Sequence, residues 1–246
     1  RKFPAVDTGG IELNSEDTMW REILRQADTA IDMADVIFWM VDGKEELTSS
    51  DYDVAEKLRR GNQLLFSRES LCLQPLLQCI RLQNRRTLVL WALTCAEGPA
   101  ASLQARYPAD PRPRQAMELA TAWAAGTIKM PIAKKGILSV HAMAREVASP
   151  ADAALCHAVG HGCAAVHTEA HAIGLPIYEL TAIVRSSDET TCIPALQQQL
   201  ANYEKTMLHC RKEAEEPTRS WADFLRRDNR LNAEQQRLMR SNHPQS

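Results

Sequence analysis

The sequence predicts a mainly α-helical protein, a helical array preceded by a short α/β segment. Three observations carry this. Residues 1–60 contain one continuous apolar run, Val36–Val41, bounded by Asp42-Gly43, as a strand buried on both faces requires. From Gly61 onward the period-2 alternation of strands almost disappears, and Ala and Leu recur at helical spacing. Between 151 and 182 stand nine alanines and three glycines, a composition that lets helices approach closely. The expected organisation is an α/β segment over 1–60, a helical domain over 61–215 and a tail over 216–246.

In chain order, Phe3–Asp7 reads as an extended run ending in glycines. A helix follows over Ser15–Ala34, with Ser15 as N-cap and Trp20, Ile23, Leu24, Ala27 and Ile31 on one face. After the Val36–Val41 strand, Thr48 or Ser49 caps a helix running to Arg60. Helices are then expected at Glu69–Leu82, Arg85–Glu97, Arg112–Ala125, Ile132–Ala148, Ala151–His167, Thr168–Arg185, Ile193–Glu213 and Ser220–Leu225. Ser149-Pro150 is a start signal, with a capping oxygen, proline at the first helical position and Asp152 two residues on. Pro176 inside the sixth of these helices predicts a kink, and 226–246 reads as a frayed tail or a short solvated helix.

Composition narrows the partners. With 29 basic and 31 acidic residues the net charge is −2, which supplies no general attraction for nucleic acid or anionic lipid. The seven cysteines, Cys72, Cys79, Cys95, Cys156, Cys163, Cys192 and Cys210, are odd in number and contain no C-x-x-C pair, which points to reduced thiols in a cytoplasm. No apolar run approaches the roughly 18–20 residues of a membrane span. The chain opens on Arg1 rather than Met, as a piece of something longer would.

Five of the seven histidines lie between 141 and 171: His141, His157, His161, His167 and His171. On one continuous helix His161, His171 and His167 fall at roughly +40°, −40° and −80° from His157, a single polar stripe suited to contacting a partner. The pairs His157/His161 and His167/His171 each have the spacing that lets two imidazoles share a metal such as zinc. The pairs lie about 15 Å apart, so one ion cannot take all four. The alternatives of internal hydrogen bonding, metal binding and partner binding stay open here.

Arg112 and Arg114 flank Pro113 after Asp110, and either arginine can anchor a carboxylate or phosphate, on a partner or on Asp110 and Glu97 within the fold. Cys95 and Glu97 together with a histidine form a conceivable nucleophile set, but Cys95 sits among apolar residues with no exposing turn. The residues therefore point to binding rather than catalysis, with no catalytic residue assigned.

Asp7-Thr8-Gly9-Gly10-Ile11 reads as a γ-phosphate switch. With the helix bearing Ala27 and Ile31-Asp32-Met33-Ala34-Asp35, the strand Val36–Val41 and the Val54-Ala55 helix, residues 1–60 resemble the first G domain of the Der (EngA) double-GTPase ribosome-assembly factors. That resemblance implies GTP and Mg²⁺ contacts at Asp7, Thr8, Gly9, Gly10 and Ile11. No G-x-x-x-x-G-K-[ST] loop or Asn-Lys-x-Asp tetrapeptide accompanies them, so no nucleotide binding is expected.

The set Trp91, Cys95-Ala96-Glu97, Asp110-x-Arg112-Pro113-Arg114, Ala122-Trp123, His141…Arg145, Gly160-His161, His167 and His171…Gly174 is similar to the immunity-protein family of bacterial polymorphic-toxin systems, over about 85–185. This resemblance implies a helical cytoplasmic domain that binds and neutralises a toxin. The first contact surfaces are His157, His161, His167, His171, Arg112 and Arg114, and no cofactor is expected. A GTP-binding protein of ribosome assembly and a metal-dependent helical enzyme are the rivals.

Overall fold

The computed structural model describes Thr48 and residues 64–216, 218–227 and 231–242. Apart from Thr48, the expected α/β segment over 1–60 lies outside the described residues, and so do Asp7, Thr8, Gly9, Gly10 and Ile11.

Within the unit Leu64–Ser246, the described residues form helices and no strand. In order these are α1 (Gln74–Arg81), α2 (Arg85–Arg106), α3 (Arg112–Ala124), α4 (Met130–Met143), α5 (Pro150–Ala164), α6 (Gly174–Ser186), α7 (Cys192–Glu213), α8 (Asp223–Arg226) and α9 (Ala233–Asn242). Short 3-10 turns at Leu71–Leu73 and Glu169–Ile173 precede α1 and α6.

α5 is the centre of the array. It packs against α2, α3, α4 and α6, and most of its residues are buried, so it has no solvent stripe. Its small side chains make this possible. A methyl group on Gly162 would meet Ala96 Cβ at 2.7 Å and Leu175 Cδ1 at 2.8 Å, which shows how near α2 and α6 come. The start of α5 is as the sequence predicts: Ser149 Oγ accepts from Asp152 N at 3.3 Å and Pro150 opens the helix.

α2 runs further than expected. Its start is capped by Asn84, whose side chain accepts from Thr87 N at 2.9 Å, but it continues through Gly98-Pro99 to Arg106. A proline inside a helix costs one hydrogen bond, about 3 kcal/mol. Burial of Ala96, Pro99, Ala100 and Leu103 offsets it. Trp91, fully buried on α2, donates its indole N–H to Tyr203 O of α7 at 3.0 Å and meets the Tyr203 ring edge-on at 6.0 Å.

Other boundaries differ for local reasons. α3 stops at Ala124 because Gly126 takes φ 81°, a left-handed stop next to Ala222. α5 ends at Ala164 and Thr168 is extended, so the single helix expected through His167 is broken before the next begins. Pro176 stands in the first turn of α6, where its missing N–H has no partner to lose, and the predicted kink has no cause.

Of the two alternatives for 226–246, the short helix is present as α9, but the described residues of the stretch are neither frayed nor wholly solvated. Phe224 packs on Trp123 with centroids 5.7 Å apart, while Asn232 and Glu234 are buried. The Asn232 amide donates to Ile80 O at 3.0 Å, Arg81 O at 3.3 Å and Gln83 O at 2.8 Å, taking up carbonyls at the end of α1. Glu234 pairs with Arg68 at the other end of the unit's sequence.

Candidate functional site

Four of the five clustered histidines meet around α5. His141 comes from α4, His157 and His161 from α5, and His171 from the 3-10 turn before α6. His141 Nδ1 and His157 Nδ1 lie 2.9 Å apart in a hydrogen bond. His161 meets His141 edge-on at 5.6 Å and His171 at 5.3 Å, and both His157 and His161 lie 5.0 Å from the Tyr178 ring.

Two glycines make room for these rings. A methyl group on Gly160 would stand 2.3 Å from His141 Nε2, and one on Gly174 would stand 2.4 Å from His161 Nδ1. Each imidazole thus lies directly on backbone, closer than any side chain at that position would allow.

The cluster is interior. His141 is 1% exposed and His157 3%. Burial is the first cause of depressed basicity in all three core rings: His157 is held at about 3, and His141 and His161 well below the ordinary 6.5, with neighbouring histidines adding to the effect. These rings are neutral at physiological pH. Among the described residues neither ring nitrogen of His161 has a hydrogen-bond partner.

The solvent-facing stripe expected from the sequence is therefore corrected. Its angular argument assumed one helix through 171, and the break after Ala164 turns His171 back onto His161. His157 and His161 face inward. His167 alone of the four is exposed, its ring stacked on Trp123 at 6.0 Å. His141, left out of the stripe because it lies on another helix, is at the heart of the cluster. The sequence signal for it was limited to Gly160 and Gly162, small residues that let another helix approach α5. Among the described residues no three His, Cys, Asp or Glu side chains converge to hold a metal ion.

Arg112 is turned to internal use. Its guanidinium grips Asp110 through Nε at 2.9 and 3.0 Å and reaches Glu146 beyond α4 through Nη1 at 2.9 Å and through Nη2. The Arg112 hydrogen bonds hold both carboxyls below the ordinary range. Glu146, not the expected Glu97, is the second partner. Arg114 is exposed and, among the described residues, pairs with Glu118 at i,i+4 at 3.7 Å.

Arg85, which the sequence reading passed over, does comparable work. Buried at the start of α2, it donates to Val166 O at 3.1 Å and His167 O at 2.6 Å, the carbonyls just past the end of α5, and its guanidinium lies 5.5 Å from the Phe224 ring centre. Cys95 is largely enclosed and its thiol is pushed well up by burial, while Glu97 is exposed, so the pair does not form a nucleophile site. Burial likewise holds Cys156 and Cys163 at about 12.

A second polar constellation lies where α6 meets α7. The Tyr203 hydroxyl donates to Glu179 Oε2 at 2.5 Å and Gln199 Nε2 donates to Glu179 Oε1 at 3.1 Å. Burial nevertheless raises Glu179 to about 7.

The family described as "Imm-5 like putative immunity protein" matches residues 78–206, from the middle of α1 into α7. This chain belongs to that family. The match takes in the whole histidine cluster, the Arg112 clamp and the Glu179 group.

Residues near the N-terminus match different proteins. GTPase Der of Clostridium perfringens strain 13 is 52% identical over 63 residues, 26% of this chain and 14% of that protein. GTPase Der of Caldicellulosiruptor saccharolyticus is 56% identical over 57 residues, 23% and 13% respectively. The chain thus spans about a seventh of the length of these curated relatives. No solved structure matches the chain.

Proposed function

We propose that this chain is an immunity protein that binds a cognate bacterial toxin in the cytoplasm and neutralises it by occlusion, without catalysis. The family match over residues 78–206 carries the reading, because it covers the helical body rather than an appendage. The geometry is in keeping with it. The imidazoles of His141, His157 and His161 and the thiols of Cys95, Cys156 and Cys163 are held neutral by burial, which directs attention to other groups.

Three surface features are the first to test. Arg114 and His167 are exposed. A groove between α1 and α7 carries Leu82, 79% exposed, beside Leu208, 65% exposed, and exposed apolar groups of this kind favour a protein partner. Arg112, by contrast, serves the proposed interface by fixing the shape of the α3 and α4 ends. Occlusion needs no more chemistry than a rigid, complementary face.

Recovery of a toxin by affinity capture from the native host, followed by rescue of toxin-expressing cells, tests the proposal. Failure of the chain to protect cells against a toxin it binds would overturn neutralisation.

The resemblance of residues 1–60 to GTPase Der, in keeping with the 63-residue match, favours one further reading, a nucleotide-linked role. Titration with a fluorescent guanine nucleotide and Mg²⁺ separates the two. The absence of a phosphate loop leads us to expect no saturable binding. Micromolar binding lost on Asp7→Ala would favour the GTPase reading.

A further inference from the structure

The pocket walled by α2, α5 and α6 combines an enclosed carboxylate with open space beside a helix. It has a volume of about 230 Å³, and Gly98, Ser102, Arg106, Leu155, Glu179 and Ser186 line it. This is smaller than the roughly 300–1,000 Å³ of sites for drug-sized ligands, and is on the scale of a side-chain tip.

Charge selects the occupant. Glu179 is 8% exposed, and both groups that donate to it, the Tyr203 hydroxyl and the Gln199 amide, are neutral. An ionised carboxylate in such a place lacks the positive partner that normally offsets burial. Arg106 at the rim does not fill that role, because it is paired with Asp152, which also accepts from the Tyr107 hydroxyl at 2.8 Å. An anion entering the pocket would compete with Asp152 for Arg106. A cation would meet a carboxylate still in want of a counter-charge.

Gly98 supplies the remaining geometry. Its chain neighbours aside, a methyl group added there meets no heavy atom of the described residues within 4 Å, unlike those at Gly160, Gly162 and Gly174. Gly98 is exposed, and the missing side chain leaves the pocket open to solvent on that side. Leu155 and Ile183 offer apolar contact to an aliphatic stem.

We propose that this pocket receives the guanidinium or ammonium tip of a basic side chain presented by the protein partner, with Glu179 as its counter-ion. The ligand chemistry follows from the pocket, and the assignment to a partner's side chain rests on the immunity reading. The upward shift of Glu179 to about 7 accords with a buried carboxyl that has no cation beside it, and a bound cation would bring it down again.

The full chain is titrated calorimetrically with butylguanidinium and with butylurea, a neutral molecule of the same shape. We expect saturable binding of the cation and at least about tenfold weaker binding of the urea. Glu179→Gln, which keeps the shape and an acceptor for Tyr203, and Gly98→Leu, which fills the space, should each weaken the cation about tenfold. Thermal melting checks that both variants fold. Equal binding of the two probes, binding indifferent to both substitutions, or no saturable binding of either probe would overturn the pocket.

A captured toxin distinguishes the source of the cation. Loss of its binding in Gly98→Leu and competition by butylguanidinium support a partner side chain. A toxin bound equally well under both conditions overturns that assignment while leaving the immunity reading intact.

Discussion

The Nδ1 atoms of His141 and His157 lie 2.9 Å apart, inside a core that excludes water from both rings. A single proton occupies the space between them, so one ring is the Nδ1–H donor and the other the acceptor. Protonating both would place two positive charges at hydrogen-bond distance in a medium that cannot screen them.

Stability should accordingly fall in acid. His141, His157 and His161 have folded-state values below 6.5, so the unfolded chain binds more protons as pH drops beneath that point. Their contribution is fully present above pH 6.5 and is lost as pH falls toward about 3, the value for His157. Each histidine adds a slope of about 1.4 kcal/mol per pH unit. Glu179 opposes them, because its raised value makes stability decline as pH rises from 4.5 to about 7. Three histidines outweigh one carboxyl in acid, so melting temperature measured from pH 4 to 8 should rise up to about 6.5 and rise no further above that. A flat profile would contradict interior histidines.

Glutamine substitutions should sort the histidines by position. His157→Gln removes one partner of a buried hydrogen bond and should cost about 1–3 kcal/mol. His167→Gln, at an exposed ring, should stay within about 0.5 kcal/mol. Denaturant titration of the two variants decides this, and equal effects would count against the interior cluster.

Glycine replacements make a matched pair. Gly160→Ala drives a methyl group to 2.3 Å from the immobile His141 ring and should destabilise by about 1–3 kcal/mol. Gly98→Ala meets open space apart from its neighbour Pro99, whose ring disfavours a Cβ on a preceding helical residue and offsets the usual gain, so the change should stay within about 0.5 kcal/mol. A drop in melting temperature confined to Gly160→Ala is the expected result.

Arg112→Ala should free the end of α3 from Glu146 and the preceding turn from Asp110. The two carboxylates are partly exposed, so the loss should be about 1 kcal/mol and should shrink in high salt. Urea titrations at low and high ionic strength measure it. An effect independent of salt would point to packing instead of charge.

The helical character of this protein was legible because periodicity is local. Ser149-Pro150 announced α5, and the glycines at 160, 162 and 174 announced close approach. What could not be read was direction. Whether His157 points to solvent or into the core depends on α4 supplying His141, a choice made by tertiary packing. The break after Ala164 and the passage of α2 through Pro99 share that origin, since local signals stop helices only when burial does not oppose them. The Glu179 group was missed for the same reason, its members being brought together by the pairing of α6 with α7.

Asn232 reaches back across 152 positions to Ile80, and Glu234 across 166 to Arg68. A growing chain therefore cannot seal the end of α1 until residue 232 has left the ribosome tunnel. Partly synthesised molecules would lack the finished α1 edge. The interval between translation of residue 80 and of residue 232 thus sets a minimum delay before that edge can exist.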